Sequence, residues 1–257
     1  TSTQLGRISL MRGLAEYMSR MGKKAYICPK SLVTVNRYSY TPYIFSKKEI
    51  ASIFYACDNF PASKESPNRQ IILSLVIRMI YGCGLRISEA VNLTISDVNL
   101  NEGTIFIKDT KFGKERLIPM ADTLKKRCRE YSILVLTGKS DTSYFFPSPF
   151  GGHYKSNTIY GLFRKVLWAA GISHTGKGPR LHDMRHTYAV HCLKKWALAN
   201  RDMTNCMPYL SAYLGHEDLR GSQRYLRLTA DLYPDITSKV EKNCSWLIPE
   251  VNWHETY

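Results

Sequence analysis

Between Leu181 and Tyr225 the chain carries Leu181-His182-Asp183-Met184-Arg185-His186-Thr187, then Leu214-Gly215-His216, then Gln223-Arg224-Tyr225. Imidazoles, guanidinium groups and a phenol thus fall within one short stretch, and together they suit a phosphate better than a metal. Arginine offers a planar fork of donors that matches phosphate oxygens, and imidazole can donate to oxygen or take up a proton. A deprotonated tyrosine is a nucleophile. The parts of a covalent phosphoryl transfer are present.

Such groups work only if regular elements hold them together. His182 and Arg185 are three apart, which on a helix puts both on one face. Leu181, Met184, Tyr188, Cys192 and Trp196 recur at spacings of three and four, predicting an amphipathic helix over residues 182–199 that buries this stripe and presents the pair at its edge. A further helix running to Leu214 and short helical turns lead on to Tyr225.

Upstream, residues 5–23 read as a helix with an apolar face of Leu5, Ile8, Met11, Leu14, Met18 and Met21 and basic residues around it, suited to facing DNA. A linker follows, with a boundary near Thr41. Ser46 with Glu49 forms a capping-box signature for a helix to about Asn59. Residues 69–81 are almost continuously apolar and predict a central core helix, stopped by Gly82 and Gly84. Helix resumes over 85–92 and places Arg86 at its start, where a cation opposes the local dipole and asks for an anionic partner.

Three short strands are expected at 97–100, 104–107 and 116–119, forming a small antiparallel sheet with Lys111 at the tip of its second hairpin. A lone lysine in such a place is usually solvated. Helices over 121–135 and 156–169 flank a loop at 138–152 whose Tyr144-Phe145-Phe146-Pro147 packs inward. A basic loop, 171–180, leads to the central stretch.

The 257 residues are 44% hydrophobic, enough to bury a core and to exclude disorder as the default. Lys and Arg number 36 against 21 Asp and Glu, a net charge of +15, which favours a polyanionic partner and nucleic acid above an anionic membrane surface. No apolar run approaches the roughly 18 residues that span a bilayer, and Thr1-Ser2-Thr3-Gln4 is no secretory signal, so a soluble intracellular protein is expected. The chain opens without an initiator Met, as a processed or trimmed chain does. The seven cysteines (Cys28, Cys57, Cys83, Cys128, Cys192, Cys206, Cys244) are scattered and never at CxxC spacing. They read as reduced, structural thiols without a zinc site.

Gly84-Leu85-Arg86-Ile87-Ser88-Glu89-Ala90, Thr110-Lys111, Lys114 to Pro119, His182 to His186 and Leu214-Gly215-His216 with Tyr225 together resemble the tyrosine site-specific recombinases, or integrases, from about Pro42 to Leu228. The resemblance implies a mostly α (α+β) helical catalytic domain with a small three-stranded antiparallel sheet. It also implies an active site of Arg86, Lys111, His182, Arg185, His216 and Tyr225. In that site Tyr225 attacks phosphorus, Arg86, Arg185 and His216 hold the phosphate oxygens, and Lys111 protonates the leaving 5′ oxygen. His182 either takes the phenolic proton or orients the phosphate. The product is a 3′-phosphotyrosine with a free 5′-hydroxyl, made without a nucleotide cofactor or a metal.

Further expectations follow from the same resemblance. Residues 1–41 are the last helix and linker of a core-binding domain, 42–234 the catalytic domain, and 235–257 a tail exchanged in trans within a homo-tetramer on double-stranded DNA with paired sites. The setting is a bacterial cytoplasm, and the work is integration and excision of a mobile element. A type IB topoisomerase and a non-catalytic DNA-binding regulator on the same fold are the rivals. His186, His191 and Tyr188 read as packing or supporting residues, Glu89 as a local cap or a partner of Arg86. Tyr209, Tyr213 and Tyr233 are rival phenols away from the motif position, and Arg220 to Arg224 replace the family's usual Thr-rich run before the nucleophile.

Overall fold

Ser46 opens the first helix of the catalytic half: its Oγ accepts from Glu49 N–H while the Glu49 carboxylate accepts from Ser46 N–H, the reciprocal cap the sequence predicts. The structure, a computed structural model, describes residues 2–32, 41–108, 113, 115–176, 178–216 and 220–233, without the side chains of 2, 220, 221, 223 and 230–232. It divides into two compact units, Thr1–Thr41 and Pro42–Tyr257. In the first, α1 (Ser2–Arg20) is followed by a segment tied back to it, with Arg12 Nε donating to Cys28 O at 2.7 Å and Nη2 to Pro29 O at 3.1 Å.

In the second unit, α2 (Lys47–Asp58) and α3 (Arg69–Gly82) pack together. Every residue of α3 from Ile72 to Ile80 is buried, as its almost continuous apolar run requires of a central helix. Its one buried cation, Arg78, is met by Asp58 at 2.7 Å and lies over the Phe54 ring at 4.5 Å from the centroid. After α4 (Ile87–Asn92) come β1 (Val98–Asn99), β2 (Thr104–Ile107) and β3 (Arg116–Pro119), a three-stranded antiparallel sheet in that order. The register pairs Ile105 with Ile118 on the buried face and Phe106 with Leu117 on the open one. β1 is shorter than expected because Ile95–Asp97 closes a 3-10 turn, with Asp97 accepting from Thr94 N–H.

α5 (Asp122–Tyr131) runs into a five-residue π-helical turn, Ser132–Leu136, and Tyr131 Oη donates to Phe145 O at 2.6 Å. Phe145 and Phe146 are buried as predicted, while Tyr144 stays half-exposed. α6 (Ser156–Ala169), α7 (Asp183–Leu198), α8 (Met203–Leu214) and α9 (Arg220–Leu232) complete the unit. A mostly helical protein with a small antiparallel sheet is therefore what forms.

Two expectations need correction. The segment before and after Tyr225 is not a series of short turns but the 13-residue helix α9. α7 also buries more than the predicted stripe. Ala189, Val190 and Leu193 are fully buried while Tyr188, Cys192 and Trp196 are only partly so, because α3, α8 and α9 all pack against this helix. Arg185 therefore lies inside at 2% exposure instead of at an open edge. Among the described residues all six cysteines are free; Cys244 lies outside them. No described helix is long and apolar enough to cross a membrane.

Replacing the fully buried Ile77 of α3 by Ala should cost about 2–5 kcal/mol in urea unfolding, through lost transfer energy and a cavity. Tyr55→Ala, on the exposed side of α2, should stay within about 0.5 kcal/mol of the parent. Equal effects of the two would contradict the burial pattern.

Candidate active site

Gly84 and Gly215 end two helices in the left-handed conformation, at φ +60° and +64°. Each turn lends a backbone carbonyl to an arginine. Arg185, in the first turn of α7, donates from Nη1 to Gly84 O and from Nη2 to Leu214 O, both at 2.5 Å. Arg86, immediately before α4, donates from Nη2 to Gly215 O at 3.0 Å. The glycines are needed for space as well as for φ. A Cβ on Gly84 would meet Leu214 at 2.7 Å and Tyr188 at 2.8 Å, and one on Gly215 would meet the Arg116 guanidinium at 2.7 Å.

One carboxylate serves this cation cluster. Glu89, on α4, accepts from Arg86 N–H at 2.8 Å and Arg86 Nη1 at 2.6 Å, and from Arg116 at 2.8 and 3.2 Å, with Arg185 Nη1 3.9 Å away. The dipole conflict expected for Arg86 is thus met partly within the chain, by an acid in the helix's own first turn. Burial pushes the Glu89 carboxyl up, but the Arg116 hydrogen bond and charge, the Arg86 backbone N–H and the Arg185 charge outweigh it and hold it below the ordinary value. Arg116 also donates from Nε to Tyr213 O at 2.9 Å, tying β3 to the end of α8.

His182 is the residue before α7 and its ring stands edge-on to His186, centroids 4.7 Å apart. Crowding by the surrounding chain, then the Arg185 and Arg86 charges, lower the His182 imidazole to about 4 although part of the ring stays open to solvent, so it is neutral at physiological pH. His216 follows Gly215, and its Nδ1 lies 2.8 Å from Ser222 Oγ on α9, with its ring stacked on Tyr225 at 5.9 Å. Tyr225 is 3% exposed. His186 Nδ1 lies 2.9 Å from its hydroxyl oxygen, and the Arg185 guanidinium faces the same phenol. Burial raises the phenol, while Arg185, Arg224 and Arg86 pull it back without fully offsetting the rise.

Five of the six expected residues, Arg86, His182, Arg185, His216 and Tyr225, therefore converge from α4, α7, α8 and α9. Lys111 lies outside the described residues. His182 is the most exposed of the five, and a quarter of the Arg86 side chain is open to a cleft of about 490 Å³ lined also by Asn92, Phe106, Lys108 and Tyr144. Sequence reasoning left three contributors without their roles. Arg116 was only part of a motif, Ser222 only part of a variant run, and His186 a packing residue, although its position one turn after His182 signalled a shared face. Glu89 does both jobs expected of it and holds Arg116 besides.

Such a cluster can bind a phosphodiester against two guanidiniums and an imidazole with a phenol beside it. Residues 44–231 match the phage integrase family. The chain belongs to the phage integrase family. A protein of Sinorhizobium fredii named as an integrase/recombinase, y4rB, is 30% identical over 92% of this chain and 77% of its own length. The tyrosine recombinase XerC of Oceanobacillus iheyensis is 31% identical over 61% of this chain, which spans about half (49%) of it. The fold is shared with a XerH site-specific recombinase in a post-cleavage complex with its difH substrate, at TM-score 0.67 and 22% identity over 94% of this chain and 66% of that one. The catalytic domain of bacteriophage HP1 integrase is similar over 98% of its length at TM-score 0.50 and 23% identity, with 79% of this chain covered. The tyrosine recombinase resemblance is thereby shown, and the integrase is by family a DNA recombinase.

Glu89→Gln should destabilise the protein by about 3 kcal/mol or more at neutral pH, because three guanidiniums lose their shared counter-charge. The carboxyl is lowered in the folded state, so its contribution is fully present above the ordinary value of 4.5 and is lost as pH falls through the folded value. Urea unfolding of the parent and the variant should differ by a constant amount from pH 5 to 8 and converge in acid. A gap that persists or widens in acid would show that the carboxylate is not the group at work.

Proposed function

We propose that this integrase cleaves and rejoins DNA strands at specific sites through a 3′-phosphotyrosyl intermediate on Tyr225, serving integration and excision of a mobile element. The observation that carries the reading is the Tyr225 hydroxyl held between Arg185 and His186, with Arg86 and His216 beside it. Phosphoryl transfer is accelerated chiefly by preorganised donors aimed at the oxygens on which charge develops. Arg86, Arg185 and His216 would bind the non-bridging oxygens as charge grows on them. His182, neutral and close to the arginines, orients the phosphate by donating a hydrogen bond. Lys111, expected on the β2–β3 hairpin, gives the leaving 5′ oxygen its proton. The bond energy stays in the phosphotyrosine, so rejoining needs no nucleotide, and the cations make a metal unnecessary.

The site surrounds the reacting phosphate with cations, which accords with the chain's net charge of +15 and with double-stranded DNA as the partner. Two recombination sites are brought together in a homo-tetramer. Residues 235–257, outside the described residues, include Trp246-Leu247-Ile248 and Trp253 and dock on a neighbouring protomer. Residues 1–41 act as the last helix and linker of the domain that closes on DNA, and 42–234 as the catalytic domain.

Nicked duplex DNA carrying the ends of the element that encodes the chain traps the intermediate on a denaturing gel. The parent should form a protein–DNA adduct, Tyr225→Phe should bind without forming one, and Arg86→Ala or Arg185→Ala should slow its formation by about 10²–10³-fold or more. Firm binding with no adduct from the parent would favour the non-catalytic regulator, and relaxation of plasmids lacking paired sites would favour the topoisomerase. A chain ended after Pro234 should lose higher-order assembly on paired sites in native gels, and unchanged assembly would rule out exchange of the tail.

A further inference from the structure

The proton of the attacking phenol has a nearer destination than His182, the acceptor expected from the sequence. Tyr225 Oη has neighbours of opposite character. The Arg185 guanidinium, which can only donate, faces the phenol and favours its ionised form. His186 Nδ1, 2.9 Å away, accepts the hydroxyl proton in the tautomer that carries hydrogen on Nε2. His182, the residue expected to serve as acceptor, stands one turn back and edge-on to His186. The two imidazoles thus divide the helix edge, His186 on the nucleophile and His182 toward the phosphate side.

We infer that His186 is a catalytic residue, the proton acceptor for Tyr225 during strand cleavage and the donor that returns this proton on rejoining. The inference rests on Tyr225 being the nucleophile. In the cleavage step the Tyr225 O–H proton passes to His186 Nδ1, the phenolic oxygen forms a bond to phosphorus, and the bond from phosphorus to the 5′ oxygen breaks. The leaving oxygen takes its proton from a separate acid, Lys111. Reversal restores every proton to its source, so no outside co-reactant is needed.

The surroundings fit this task. Burial, followed by the charges of His182, Arg224, Arg185 and His216, lowers the His186 imidazole to about 3, so in the free protein it is neutral and a weak base. The groups facing it are His182 and Arg185 from α7, His216 after α8, and Arg224 and Tyr225 from α9. Most are cationic or become so on protonation. A DNA phosphate seated against Arg86, Arg185 and His216 offsets that positive field and raises the basicity of His186 when the substrate is in place. Proton uptake is thereby coupled to DNA binding, and the phenol stays protonated in the free protein.

The test uses the full chain, the nicked duplex described above and a second duplex whose scissile leaving oxygen is replaced by sulfur, a leaving group that needs no proton. His186→Gln keeps a hydrogen-bond acceptor but cannot take up a proton, and His186→Leu removes both. Both should bind DNA as the parent does and form adduct about 10²–10⁴-fold more slowly at neutral pH. Their rates should rise tenfold per pH unit as the phenol ionises unaided, while the parent's stays level. The sulfur leaving group should restore Lys111→Ala but neither His186 variant.

His186→Gln within about threefold of the parent rate would overturn the inference, as would its rescue by sulfur or a slow rate that ignores pH, which marks a purely structural role. Should the leucine variant fail to fold in a thermal melt, the glutamine variant carries the comparison. Absence of any adduct from the parent, or an adduct from Tyr225→Phe, would instead remove the nucleophile reading itself, so the two failures are distinct.

Discussion

Three guanidinium groups, those of Arg86, Arg116 and Arg185, surround the one carboxylate of Glu89, and the rest of the site depends on that imbalance. Like charges this close and this far from water repel strongly, and each would lose much of its hydration on burial. The chain answers with Glu89 and with the carbonyls of Gly84, Leu214, Gly215 and Tyr213, so that donors are satisfied although charge is not. Net positive charge is left over in a partly closed site. An anion arriving there completes a structure already arranged for it, with little reorganisation at the moment of reaction.

Burial grades these arginines by task. Arg185 is almost wholly enclosed and fixed by two carbonyls, so it acts as a rigid post between the ends of α3 and α8. Arg86 keeps a quarter of its side chain open and faces the adjoining cleft. Arg116 reaches from β3 to Glu89 and to the last turn of α8, so the sheet that carries the expected Lys111 hairpin is anchored to the site through one side chain. A disturbance at Glu89 would travel along both routes.

Tyr225 sits on a different footing. α9 is strongly amphipathic, with Tyr225, Leu228 and Thr229 buried against α7 and α8 and Arg227 outside. Its phenol is delivered into the cluster by helix packing, and Ser222 one turn earlier meets His216. Position and hydrogen bonding of the phenol are therefore set together by one helical face, which couples the docking of α9 to the completeness of the site.

Much of this was legible in the sequence, because the signals concerned are local. The capping box at Ser46, the almost continuous apolar run of α3, the alternation of β2 and β3 and the helix-stopping glycines each act within a few residues, and each element formed where expected. The types and order of Arg86, His182, Arg185, His216 and Tyr225 likewise marked residues that the fold brings together. Three features came only from tertiary packing. α9 forms a continuous helix because its apolar face finds α7 and α8. Arg185 is buried because three helices enclose α7. His186, one of two imidazoles a turn apart, meets the phenol because α9 approaches α7 from that side, and spacing along one helix cannot say from which side a distant segment will come.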